Sequence, residues 1–493
     1  MNYKSTRNSK KLISSAEAIA QGISEEGGLF LPESIPALTQ DDIKELVNLD
    51  YIGRAKKVLS LFLTDYTEEE LDYCVKGAYT DSFDNNLPAP IKSLSENEHV
   101  LELWHGPTCA FKDLALQLLP YLLTTAVKKT NRPKTVILVA TSGDTGKAAL
   151  EGFSDVEGTD IIVFYPSEGV SDMQKLQMCT QKGKNVSVCA IKGNFDDAQT
   201  GVKKIFTDNE MCELLKSKGY AFSSANSINW GRLVPQIVYY VSAYCDLLKN
   251  GTDLKNGFNV VVPTGNFGNI LAAYYAKLMG VPIEKLICAS NENNVLTDFI
   301  NTGVYDKNRK FFTTISPSMD ILVSSNLERL LYLLADCDDE LNKNMQASLS
   351  CEGKFTVPAG VLSKLRESFA AGWCSDKETL ETINKYFSEK GYLVDTHTAV
   401  ALNVYNKYVA ETGDNKPTVI ASTASPYKFV PAVLEALGRS NTGDNFELIE
   451  RLEEISGTKA PESLSLLKNA TVRFDRVVLK EQMKDTITEF LKF

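Results

Sequence analysis

Three times along this 493-residue chain, a run of β-forming apolar residues ends in a short polar loop that opens a helical pattern. Thr135 to Ala140 (TVILVA) leads through Thr141-Ser142-Gly143-Asp144 into a helical stretch from Thr145. Phe258 to Pro263 (FNVVVP) leads through Thr264-Gly265-Asn266-Phe267-Gly268-Asn269 into a helix with Leu271, Tyr274, Tyr275 and Leu278 at helical spacing. Thr418 to Ser422 (TVIAS) runs into Thr423-Ala424-Ser425-Pro426, where Pro426 suits a first helical turn. Such alternation reads as βα units on a largely parallel sheet, so the fold class is α/β. In open α/β sheets, ligands sit beyond the carboxyl ends of the strands, which makes these loops the site candidates. The first ninety or so residues read instead as helices with polar breaks, interrupted at Gly27, Gly28 and Pro32.

Length and charge exclude whole classes. At roughly 150 residues per domain, the chain holds two or three domains with sizeable cores. Its 52 Lys+Arg against 63 Asp+Glu give a net charge of −11, the wrong sign for a phosphate-backbone footprint, so no nucleic-acid partner is expected. The apolar stretches from Leu114 to Val127 and from Pro235 to Leu248 are short and interrupted by Gln117, Pro120, Thr124 and Asp246, so no membrane span is expected. The basic N-terminus (Lys4, Arg7, Lys10, Lys11) meets Glu17 and Gln21 without an apolar stretch between, unlike a secretory signal. Ten scattered cysteines with no Cys-x-x-Cys pair predict reduced thiols in a cytoplasmic protein. With three histidines (His99, His105, His397) and no paired cysteines, no structural zinc site is expected.

Several residues could carry chemistry. Lys112, in His105-Gly106-Pro107-Thr108-Cys109-Ala110-Phe111-Lys112-Asp113, precedes Ala115, Leu118, Leu119 and Leu122 at helical spacing. A partly desolvated lysine there can act as a nucleophile, although a surface lysine in a first helical turn has the same local pattern. The loop Thr264 to Asn269 can bring backbone N–H groups to an anion at a helix start, or be a tight turn that needs glycine. It matches neither the Walker nor the Rossmann pattern. Asp144 reads as an N-cap, while Thr141, Ser142 and Thr145 offer hydroxyls beside helix N–H groups. Asn226-Ser227-Ile228-Asn229-Trp230-Gly231-Arg232 ends in an arginine able to grip a phosphate, or simply solvated. His397, in Asp395-Thr396-His397-Thr398, reads as a hydrogen-bonded structural histidine.

Together these segments resemble the threonine synthases, pyridoxal-phosphate enzymes of the tryptophan-synthase-β-like fold. The resemblance covers nearly the whole chain: Ser5-Thr6-Arg7, Glu26-Gly27-Gly28-Leu29-Phe30-Leu31-Pro32, HGPTCAFKD, ATSGDTG, NSINWGR, VVPTGNFGN, SPSMDILVSSNLERLL and STASPYKF, in that order. It implies that Lys112 is the Schiff-base lysine of pyridoxal 5'-phosphate. It further implies that Gly265, Asn266, Phe267, Gly268 and Asn269 hold the cofactor phosphate and that Thr423 faces the pyridine nitrogen. Ser142, Gly143, Asp144 and Thr145 would lie beside the substrate, with Asn226, Ser227 and Arg232 on its phosphate. The match of Ser5 to Arg7 to the family's mature start implies no transit peptide. Ser425 stands where the family often has histidine, Tyr427 where it has a small residue, and Asn294 where it has aspartate. These departures spare Lys112 and the phosphate loop.

The implied reaction converts O-phospho-L-homoserine and water into L-threonine and phosphate, making the chain a lyase of threonine biosynthesis. A related phospho-lyase or dehydratase releasing a keto acid shares the cofactor chemistry, and a non-catalytic metabolite-binding descendant is the rival from another class. The implied architecture is a helical N-terminal domain (residues 1–95), a smaller α/β domain with Lys112 (96–245) and a larger α/β domain with the phosphate loop (246–493), interleaved in space. Oligomeric state is not legible.

Overall fold

Two sheets carry the three βα units in the computed structural model, which describes residues 1–141, 143–168 and 170–493. The larger has six strands in the order Phe369–Trp373, Ile283–Ser290, Phe258–Pro263, Thr418–Ser422, Glu98–Glu102, Ile91–Ser93. All neighbours run parallel except the last, antiparallel pair. Val260 lies opposite Val419, so the loops after these two adjacent strands leave the same end of the sheet side by side. The smaller sheet has five parallel strands in the order Val477–Leu479, Val186–Lys192, Thr159–Pro166, Lys134–Ala140, Tyr220–Ser223. Every residue of Phe258–Pro263 and of Thr159–Pro166 is buried, which is why such strands read as largely apolar runs.

The sheets do not follow contiguous cuts at 95/96 and 245/246. Ile91–Ser93 and Glu98–Glu102 join the larger sheet beside Thr418–Ser422, and Val477–Leu479 returns to the smaller one beside Val186–Lys192. A parallel strand is joined to its neighbour by a long crossover, so closeness in sequence does not decide sheet membership. Helix Trp230–Lys249 is buried at every residue from Trp230 to Ala243 and packs against helices Gly268–Leu278 and Tyr51–Phe62. That burial explains why the stretch from Pro235 is apolar all round. Among the described residues no helix is long and apolar enough to cross a membrane.

The N-terminal segment departs from the all-helical expectation. Four helices, Ser15–Gln21, Gln40–Asn48, Tyr51–Phe62 and Glu68–Tyr79, accompany a three-stranded antiparallel sheet of Asn8–Ile13, Tyr3–Ser5 and Phe30–Pro32. Two of these strands have only three residues, too few to show a period of two. Gly28 is a close-approach position, since a Cβ there would lie 2.2 Å from Ser5 Oγ.

The helical run after Lys112 is also two helices, Lys112–Leu116 and Leu119–Lys129, parted just before Pro120, which cannot donate to a preceding turn. The short helix lies against helix Asp144–Phe153 at Gly152, where a Cβ would stand 1.9 Å from the Leu116 carbonyl oxygen. This backbone-to-backbone approach sets Lys112 and Asp144, the first residues of the two helices, next to each other.

Candidate active site

Lys112 is not a surface lysine: 14% of its side chain is exposed, and its Nζ lies 3.8 Å from Asp144 Oδ2. It also donates to Ser318 Oγ over 3.5 Å, and the Ser318 hydroxyl donates to Asp144 Oδ2 over 3.4 Å. Asp144 has a tighter partner. Lys428 Nζ, on a wholly buried side chain, sits 2.6 Å from Asp144 Oδ1 and donates to the Thr108 carbonyl at 2.9 Å. Gln174 Nε2 adds a hydrogen bond to the same oxygen at 3.0 Å, an approach open because residue 143 is glycine: a Cβ there would lie 2.4 Å from Nε2, and φ is +152°. Gly143, not Asp144, is the N-cap, so the carboxylate is free of the capping role expected for it. Burial raises the Asp144 carboxyl, but Lys428 and Lys112 outweigh it and hold the group well below the usual carboxylate range. Burial pushes the Lys112 amine below its ordinary value; Asp144 pulls the other way, while Lys428 and Arg232 add to the drop.

The loop after Phe258–Pro263 fits a phosphate. Among the described residues, the backbone N–H groups of Gly265, Asn266, Phe267, Gly268 and Asn269 donate to no protein acceptor. Its carbonyls are tied back instead: Ser324 Oγ donates to Gly265 O at 2.7 Å, and Asn326 donates to Asn266 O from both its backbone N–H and its Nδ2 at 3.1 Å. Phe267 takes the left-handed conformation (φ +61°), turning successive N–H groups to one side. Asn269 accepts from Tyr239 and Tyr240 at Oδ1, and its buried Nδ2 has no partner among the described residues. A Cβ at Gly265 would stand 2.8 Å from the Ser318 carbonyl oxygen, so this loop and Lys112 share Ser318 as a neighbour.

Thr423 is brought to the same place by pairing with the approach to Lys112. Phe111 N–H donates to Thr423 O at 2.9 Å, and Ala110 bridges Ala424. Thr423 is buried as a residue, and its hydroxyl has no protein partner among the described residues. Ser425 caps the following turn through Tyr427 N–H, and Tyr427 is buried with its hydroxyl donating to Thr458 O at 3.0 Å. Both departures from the family pattern thus point away from Thr423. Asn294, the third, accepts from Arg309 at 2.9 Å.

Arg232 is 3% exposed and, among the described residues, has no carboxylate partner; it donates only to the Ala225 carbonyl, and its Nε has no acceptor. Burial pushes its guanidinium down to about 10. It is a sheltered cation, not a solvated one. Ser227 Oγ accepts from Asn326 Nδ2 at 3.2 Å, linking this segment to the phosphate loop, whereas Asn226 lies exposed. Thr145 is half-buried one residue after Asp144, and Ser142 lies outside the described residues. His397 is buried and hydrogen-bonded at both ring nitrogens: Nδ1 to Asp395 at 3.0 Å, and Nε2 accepting from Ser318 N–H at 3.2 Å. The arrangement is a depressed amine beside a fixed carboxylate, flanked by a backbone anion cradle and a buried guanidinium.

Family models agree with this geometry. One described as "Threonine synthase N terminus" matches residues 2–79, one described as "Pyridoxal-phosphate dependent enzyme" matches 87–424, and one described as "Threonine synthase, C-terminal" matches 398–478. The chain belongs to the threonine synthase family. It is 36% identical to threonine synthase of Saccharomyces cerevisiae over 511 residues, 98% of each chain. It is 44% identical to threonine synthase-like 1 of Homo sapiens over 435 residues, covering 86% of this chain and only 58% of that longer relative. The crystal structure of PLP-bound threonine synthase from Brucella melitensis superposes with a TM-score of 0.89 at 35% identity over 99% of each chain.

Three residues outside the candidate set are brought to the same place by the structure. Ser318 and Asn326 belong to SPSMDILVSSNLERLL and Lys428 to STASPYKF. A lysine two residues after a proline, the one charged residue of its motif, was the available signal for Lys428. Gln174, in an ordinary helix, carries no such signal.

Proposed function

We propose that this chain is a pyridoxal-phosphate-dependent threonine synthase that converts O-phospho-L-homoserine and water into L-threonine and inorganic phosphate. The observation that carries the reading is Arg232: a guanidinium buried without a counter-ion among the described residues, beside a depressed lysine, calls for an anionic substrate. Lys112 would hold the cofactor covalently, the N–H groups of Gly265, Asn266, Phe267, Gly268 and Asn269 would hold its phosphate, and Thr423 would face its pyridine nitrogen. When bound, that group supplies an electron sink for charge developing on substrate carbon.

The chain's own residues do the rest. Lys112, whose amine burial makes easier to deprotonate, takes protons from substrate Cα and Cβ and returns them as general acid. Arg232, with Ser227 and Asn226, grips the γ-phosphate, whose negative charge grows as its bond to carbon breaks. Asp144 sits beside the Lys112 amine and fixes where it points, and Gly143 and Thr145 line the substrate in this reading. The pair of sheets supports a division into an N-terminal segment, a smaller domain and a larger domain between which the chain crosses. All ten cysteines are free thiols, which supports a reducing, cytoplasmic setting.

The test is incubation of the purified chain and pyridoxal phosphate with O-phospho-L-homoserine. Threonine and phosphate in equal amounts are expected. 2-Oxobutyrate in place of threonine would make the chain a keto-acid-releasing lyase, and no turnover would remove the reading.

A further inference from the structure

Asp144 lies between two lysines, and its short ion pair is with the one that does not face the reaction. Lys428 reaches Oδ1 at 2.6 Å on a wholly buried side chain, anchored by the Thr108 carbonyl at 2.9 Å, while Lys112 stays 3.8 Å from Oδ2. Gln174 at 3.0 Å adds to Oδ1, and Ser318 at 3.4 Å adds to Oδ2. Asp144 is therefore fully satisfied without Lys112. We propose that Lys428 is the standing counter-ion of Asp144 and a positioning residue for Lys112, leaving that amine beside a fixed carboxylate that does not need its charge.

The physics is one of competition. A buried carboxylate left with a single cationic neighbour would hold that neighbour in its charged form. If Lys112 were the only cation beside Asp144, it would be locked as an ammonium, which is neither a nucleophile nor a base. With Lys428 bound, Lys112 can lose its proton while Asp144 stays paired, and the second cation also repels charge on Lys112. Among the described residues, the other charged groups acting on Lys112 are Arg232, from the helix beginning at Trp230, and Asp113 on its own helix. Arg232 acts in the same direction as Lys428. The Asp113 carboxylate is occupied by the Thr108 N–H and hydroxyl at 2.8 and 2.6 Å. Ser318 bridges Lys112 and Asp144, giving the amine a neutral partner in either state.

The inference rests on the reading of Lys112 as the reacting amine, but it is measured by that amine's titration, which stands whether or not the chain makes threonine. The full-length chain, freed of cofactor, is trace-labelled with acetic anhydride across pH 6 to 11, and the Lys112 peptide is quantified by mass spectrometry. Lys428→Met is expected to raise the Lys112 midpoint by about one unit, a roughly tenfold fall in labelling near pH 8. Lys428→Arg, which keeps the charge, is expected to restore it. In the cofactor-loaded chain, the pH dependence of the visible absorbance should shift in the same direction. Should Lys428→Met fail to fold, the comparison is made with Lys428→Gln, which keeps a donor for Asp144 and the Thr108 carbonyl but not the charge, and the midpoint is again expected to rise. A midpoint unchanged or lowered by loss of the Lys428 charge in whichever variant folds overturns the proposal, as does an Arg variant behaving like Met.

Discussion

Replacing Arg232 with methionine separates recognition from folding. Among the described residues, the guanidinium is 3% exposed, donates to one backbone carbonyl and leaves Nε without an acceptor. Removing it therefore breaks one internal hydrogen bond and relieves an unpaired buried charge, two effects that oppose each other. Stability should move by no more than about 1 kcal/mol. The charge-assisted contact to a substrate phosphate is worth roughly 1.5 to 3 kcal/mol, so kcat/KM should fall about 10- to 150-fold. Cofactor occupancy should stay at the wild-type level, because the loop from Gly265 to Asn269 has its own donors. Lysine at this position keeps the charge but loses the planar fork, and should recover part of the rate. The assays are phosphate release from O-phospho-L-homoserine, absorbance of bound cofactor and thermal melting. Parallel loss of cofactor, activity and Tm would make Arg232 a structural residue, and unchanged kinetics would take the substrate phosphate elsewhere.

Gly265→Ala puts a Cβ 2.8 Å from the Ser318 carbonyl, on a segment tied to His397, and such overpacking costs about 1 to 3 kcal/mol. Titration with pyridoxal phosphate should show affinity reduced by tenfold or more; wild-type affinity would mean the loop can retreat. Thr423→Val removes a hydroxyl that has no protein partner among the described residues, so folding should be unaffected. Cofactor affinity should drop by about 0.5 to 1.5 kcal/mol, and no drop would show that Thr423 does not face the ring. Asp113 is fully buried, and burial pushes its carboxyl up to about 6 despite hydrogen bonds from Thr108. Because the folded protein holds that proton more tightly than the unfolded chain, its contribution is complete below about pH 4 and is lost as pH rises through about 6. Relative to Asp113→Asn, wild-type unfolding free energy should fall by about 3 kcal/mol across that window; a flat difference in urea melts from pH 4 to 7 would refute the assignment.

The parts legible in the sequence were those with a local signature. Phe258–Pro263 and Thr418–Ser422 have the bounds that their apolar runs suggested, because burial on both faces favours apolar residues at most positions of the strand. Lys112 opens a helix, as the spacing after it implied. What could not be read is long-range. Nothing in Ile91–Ser93 says that it will join a sheet completed more than three hundred residues later, and nothing in Gln174 says that it will reach Asp144 over a glycine. The break before Pro120 was visible as a proline, yet its consequence, the approach of Gly152 to Leu116, depends on two helices meeting. Asp144 was assigned its commonest local role, and lost it because Gly143 takes the cap while a lysine from the far end of the chain claims the carboxylate.

Charge shows the same division most sharply. A chain of net charge −11 buries Lys112, Lys428 and Arg232 around one ion-paired carboxylate, so the local field is opposite in sign to that of the whole molecule. A sum over the sequence cannot see this, because fixed neighbours, not the total, set the potential in a desolvated site. The two proposed anion positions are also built differently. One consists of backbone N–H groups whose carbonyls are pinned by Ser324 and Asn326, a rigid cradle suited to a phosphate that stays through every turnover. The other depends on a single long side chain, with donors that can follow a phosphate as it departs. A buried, unpaired guanidinium disfavours the empty protein, and that cost is offset only when an anion arrives. Local rules of folding would remove such a residue, and its retention beside Lys112 is the physical reason to assign it to substrate and not to structure.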